Sequence, residues 1–60
     1  MINYKEAGYR IQTQRKILGL TQEVVSEKIG ITPSFFSQIE SGTRKAGIKT
    51  FVSISKILGS

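Results

Sequence analysis

Residues 30 to 42 read GITPSFFSQIESG, and this stretch predicts one short helix over 32–41. Gly30 suits the end of a preceding helix. Thr32 suits an N-cap, because its hydroxyl can accept a hydrogen bond from an orphan backbone N–H. Pro33 suits the first helical position, where its missing N–H costs nothing. Gly42 suits the position just past the end, where the backbone turns left-handed. On a wheel of about 100° per residue, Phe35, Phe36 and Ile39 fall on one side, with Pro33, Ser34, Ser37, Gln38 and Ser41 on the other. That second side is small, polar and uncharged, whereas a face kept for solubility usually carries Lys and Glu. Short Ser and Gln side chains suit close approach to another hydrogen-bonding surface, such as a base-pair edge. Taken alone, the stretch reads equally as an ordinary amphipathic helix with a serine-rich solvent face.

Working outward, residues 4 to 18 (YKEAGYRIQTQRKIL) place Tyr4, Ala7, Ile11 and Leu18 at helical spacing, and Gly19 ends the run. Gly8 costs this first helix about 1 kcal/mol against Ala, which close packing on another backbone would explain. Arg15 falls on the apolar stripe, and a buried Arg needs an acidic partner. Thr21 caps a second helix, QEVVSEKI, which stops at Gly30. Val25 and Ile29 point inward, Ser26 sits where helices cross closely, and Val24 falls near the surface. The short turn before Thr32 predicts a steep crossing of the second and third helices. Glu40 lies beside Phe36 at the edge of the core face and is the natural partner for Arg15. After a loop, GTRKAG, residues 48–58 form a fourth helix dense in Ile48, Phe51, Val52, Ile54, Ile57 and Leu58, and Gly59 and Ser60 close the chain.

Sixty residues make one small domain, which buries only about 60% of its unfolded surface. With no cysteine and no histidine, disulfides, zinc sites of the usual ligand types and His-based catalysis are excluded. All four acids are Glu, against nine Lys and Arg, for a net charge of +5. On so small a body that balance favours a polyanionic partner, nucleic acid before membrane. No apolar run approaches the ~20 residues that span a bilayer, and Met1 leads into a polar, mixed-charge helix rather than a signal peptide. The expected location is the cytoplasm. No catalytic residue, metal, cofactor or small-molecule substrate is expected. Glu23 and Glu27 are the only two carboxylates within one helical turn, and they read as a solvated charged face with Lys28 nearby.

The second helix, the Gly30-Ile31 turn and the third helix together resemble the helix-turn-helix of the Cro/C1-type, or XRE, family of phage and bacterial repressors. Gly8, Ile11 and Arg15 resemble that family's first-helix pattern. Gly19-Leu20-Thr21-Gln22-Glu23 resembles its second-helix opening, and Ile39-Glu40-Ser41-Gly42 its third-helix ending. Ile48, Phe51 and Leu58 sit where its fourth-helix core residues sit. The resemblance implies an all-α, lambda-repressor-like bundle of four short helices over residues 1–60, the family's fifth helix lacking. It implies sequence-specific binding of double-stranded DNA by a bacterial or phage-encoded transcriptional regulator, a repressor, working as a homodimer on a two-fold operator.

Carried over residue by residue, the resemblance makes Thr32, Pro33, Ser34, Ser37 and Gln38 the base-contacting positions. Gln22, Thr43, Arg44 and Lys45 become phosphate contacts, Gln22 also bracing the reading helix, and Arg10 is a further phosphate candidate. The Arg15–Glu40 pair resembles a structural ion pair of many members. Gln38 is the one reader able to make a bidentate base contact, with adenine its preferred base. Several positions depart from the pattern. Ala46 stands where the family often has Pro, Ser26 where it has Ala, and Val24 where a polar residue is usual. Pro33 replaces a residue that often reads a base, so it offers only apolar contact. A different class of function also fits this fold: a protein-interaction module, such as an antitoxin gripping a toxin, working through the fourth helix and the rim of Phe35. RNA binding is the weaker rival, because no aromatic residue sits on the polar faces to stack unpaired bases.

Overall fold

Local hydrogen bonds set where each helix starts and stops. The structure, a computed structural model, describes residues 3–59, so the readings that touch Met1 and Ser60 lie outside the described residues. It is all-helical among those residues, with α1 (Tyr4–Ile17), α2 (Gln22–Ile29), α3 (Pro33–Ser41) and α4 (Ile48–Leu58) in chain order. The side chains of Asn3, Thr21 and Thr32 accept from the N–H groups of Glu6, Val24 and Phe35, each at 3.1 Å, and so cap α1, α2 and α3. Pro33 occupies the first turn of α3. The chain leaves α1 through paired bonds, Gly19 N–H to Lys16 O and Leu20 N–H to Arg15 O, both 3.0 Å. This motif satisfies carbonyls that the last helical turn leaves free. Gly30, at φ 85°, makes the α2–α3 turn, a backbone geometry that only Gly adopts without strain.

The bundle is compact, with extents of 28 × 21 × 17 Å. α1 packs against α3 and α4, and α2 packs against the same two helices. Ile11, Val25, Phe36, Ile39, Ala46, Ile54 and Leu58 form the buried core, with Leu20, Ile29, Ile31, Phe35, Phe51 and Ile57 partly buried around it. Tyr4 is half-buried, its ring centroid 6.3 Å from that of Phe51. Ser26 is fully buried and satisfied, its hydroxyl donating to Glu23 O at 3.0 Å. Val24 is exposed, in keeping with its place on the wheel. No helix of the described residues is long and apolar enough to cross a membrane.

Two apolar residues expected in the core lie outside it. Leu18 is 47% exposed: α1 ends at Ile17, so Leu18 leaves the stripe as a cap residue and Leu20 reaches the core in its place. Ile48 is 79% exposed. The buried row of α4 runs through Phe51, Ile54 and Leu58, and extending it back one turn reaches Gly47 rather than Ile48. Ile48 and Val52 therefore share a neighbouring row that faces outward, and Ala46, just before the helix, fills the core position.

Candidate nucleic-acid interface

The buried ion pair is the anchor of the candidate site. Arg15 Nε donates to Glu40 Oε2 at 2.6 Å and Arg15 Nη2 to Glu40 Oε1 at 3.2 Å, a two-pronged pairing. The guanidinium also donates to Leu20 O at 2.8 Å, which ties in the turn after α1. Gln22 Nε2 donates to Glu40 Oε1 at 2.8 Å. Thus Glu40, near the end of α3, holds both α1 and the first residue of α2. A carboxylate only accepts, so the Gln22 amide must present its NH2 to it. One of the two amide hydrogens stays free for an outside acceptor. The resemblance implies that Gln22 braces the third helix; the structure identifies the atom it bonds, a Glu40 oxygen on a residue eighteen positions away.

The expected base-contacting positions share one face of α3. Thr32, Pro33, Ser34 and Ser37 are exposed and Gln38 is half-buried. The Thr32 hydroxyl oxygen is used by the cap, which leaves its hydrogen to donate outward. No charged side chain belongs to α3 except the buried Glu40, so this face is polar and neutral.

The basic loop is attached to the same helix at one carbonyl. Gln38 O accepts from Thr43 N–H at 3.1 Å, from Thr43 Oγ1 at 3.3 Å and from Ser41 Oγ at 3.0 Å. Ser41 Oγ and Thr43 Oγ1 are themselves 2.9 Å apart. Beyond this knot, the Arg44 guanidinium lies over the Phe35 ring, 5.3 Å from its centroid, and Lys45 Nζ lies 5.7 Å from the Tyr4 centroid. Both are cation–π contacts that hold flexible cations against the body of the protein. Thr43 and Arg44 therefore border the α3 face, while Lys45 lies against Tyr4 of α1.

Arg10 stands apart from this cluster. It pairs with Glu6 at 3.0 Å on the exposed side of α1. It also lines a small groove of about 200 Å³ between α1 and α4, with Ile11, Phe51, Ile54 and Leu58. The groove includes no residue of α2 or α3. The sequence offered a signal for this separation, since Glu6 and Arg10 have the four-residue spacing of a helical ion pair.

Comparison with known proteins adds an independent line. A family model described as a helix-turn-helix domain matches residues 8–60. Two curated relatives, each described as an uncharacterized HTH-type transcriptional regulator, come from Sinorhizobium medicae (strain WSM419) and Rhizobium meliloti (strain 1021). Each is 39% identical over 51 residues, which covers 85% of this chain and 37% of the relative. The chain thus spans little more than a third of the length of the curated relatives it matches. No solved structure matches it. The match agrees with the Cro/C1-type resemblance and takes in the whole of α2, the Gly30 turn and α3, and on that ground the chain belongs to the helix-turn-helix domain family.

Proposed function

We propose that this chain binds double-stranded DNA sequence-specifically as the DNA-binding domain of a transcriptional repressor, with α3 lying in the major groove. The observation that carries the reading is the neutral polar face of α3 bordered by a cationic loop that is hydrogen-bonded to that helix. Ser34, Ser37 and Gln38 face base edges, Thr32 donates from the start of the helix, and Pro33 gives an apolar contact. The remaining amide hydrogen of Gln22 meets a phosphate, as do Thr43, Arg44 and Lys45 of the loop. Arg10, paired with Glu6 beside the α1–α4 groove, is left out of this surface. The relatives named as transcriptional regulators support the reading, and a bacterial cytoplasm is where such a domain works. Net charge of +5 steers it to DNA, and two copies about 34 Å apart on one face of the duplex supply the specificity that one short helix lacks.

The test is selection from a randomised duplex pool, followed by sequencing of the bound fraction. An enriched two-fold motif supports a dimeric sequence reader. Binding without enrichment, lost at moderate salt, leaves phosphate contact alone and counts against it.

A second reading has its own observation. Ile48 and Val52 form an exposed apolar strip on α4, which suits a protein partner such as a toxin held by an antitoxin. Salt separates the two: DNA affinity falls steeply with ionic strength, whereas an apolar protein interface is little affected.

A further inference from the structure

We infer that Arg44 and Gln38 form one composite reader that selects guanine, and that Arg44 is a specificity-determining residue rather than a phosphate clamp alone; this rests on the DNA-binding reading above. Arg44 Nη1 lies 3.4 Å from Gln38 Oε1. A guanidinium has donors and no acceptor, so the amide oxygen is the atom that must face it. The Gln38 NH2 is thereby turned away from Arg44. The arrangement is held from two sides. The Phe35 ring supports the guanidinium from α3 itself, one turn before Gln38. The loop carrying Arg44 hangs on the main-chain oxygen of Gln38 through Ser41 and Thr43. One residue therefore fixes both the base of the loop, by its carbonyl, and the head of the arginine, by its side chain.

The pairing changes what Gln38 can read. A free glutamine matches adenine, accepting from N6–H with its oxygen and donating to N7 with its nitrogen. The oxygen is turned toward Arg44, which takes one of its two lone pairs, so the atoms aimed outward are chiefly the amide N–H groups and the remaining guanidinium N–H groups. These are donors, and the unit carries a positive charge. Adenine would set its N6 donor against them. Guanine presents two adjacent acceptors, N7 and O6, and no donor on that edge, so it is the purine that fits.

Selection from a randomised duplex pool tests this with the full chain and three variants. Gln38→Ala identifies the operator position read by the pair, as the one whose preference disappears. At that position the unaltered chain should enrich guanine. Arg44→Ala should move the preference there toward adenine, changing the guanine-to-adenine ratio by roughly tenfold or more, with the rest of the motif intact. Arg44→Lys keeps the charge but loses the planar fork, and should behave like Arg44→Ala at that position. Adenine enriched by the unaltered chain would overturn the inference. So would a uniform affinity loss in Arg44→Ala with the base ratio unchanged, which is the signature of a phosphate contact. The absence of any enriched motif from the unaltered chain would overturn the DNA-reading function itself, and the composite reader with it.

Discussion

Gly8 of α1 lies so close against Glu40 of α3 that a Cβ on Gly8 would stand 2.8 Å from the Glu40 carbonyl carbon and nearer still to the carbonyl oxygens of Ile39 and Glu40. Both obstacles are backbone, so no side-chain rotation relieves them. Gly8→Ala gains about 1 kcal/mol of helix propensity but forces the two helices apart, and overpacking of this kind costs about 1–3 kcal/mol or more. The expected net result is a lower melting temperature, by several degrees for each kcal/mol in a domain of this size. Thermal unfolding followed by circular dichroism reads it; an equal or higher midpoint would contradict the close approach.

The same glutamate carries the charge that neutralises Arg15. Glu40→Ala leaves a nearly buried guanidinium unpaired and removes the acceptor of Gln22. Loss of one partner of a buried pair costs roughly 3–5 kcal/mol, a large share of what so small a domain possesses. Urea titration should show a much reduced midpoint or no folded baseline at all. An unchanged midpoint would mean that the pair contributes nothing to folding.

On α4 two isoleucines of like chemistry should behave oppositely. Ile54 is 1% exposed and Ile48 is 79% exposed. Ile54→Ala opens a core cavity and should cost about 2–5 kcal/mol. Ile48→Ser removes little buried surface and should change stability by about 0.5 kcal/mol or less. A large loss from Ile48→Ser would place that side chain in an interface or core that the present packing does not give it.

Lys45 tests the electrostatic part of the proposed function. If Lys45 neutralises one phosphate, Lys45→Ala should lower the slope of log affinity against log salt by about 0.9 and weaken all duplex sequences alike. Fluorescence anisotropy on one duplex at several salt concentrations measures it. A slope equal to that of the unaltered chain would place Lys45 off the DNA.

Much of the fold is legible in the sequence because the signals that delimit its helices are local. Thr21 and Thr32 cap by bonding an N–H three residues ahead, and Pro33 needs only its own ring. Gly30 and Gly42 supply the left-handed backbone their turns require. The meeting of Arg15 and Glu40 is longer in range, yet it follows from two opposite charges placed on two apolar stripes. The exposure of Leu18 and Ile48 is less legible. Each lies within one residue of a helix end, where a single step turns a side chain by about 100° and so moves it off the stripe.

The sequence by itself therefore determined the helices, their ends, the family and which residues lie on the polar face of α3, since these depend on contacts within a few residues. Only the tertiary structure decided that the partner of Gln22 is Glu40 and that Arg44 rests on Phe35 beside Gln38. Side chains this long reach several ångströms from their backbone, so their partners depend on how helices and loops pack, which no spacing along the chain encodes.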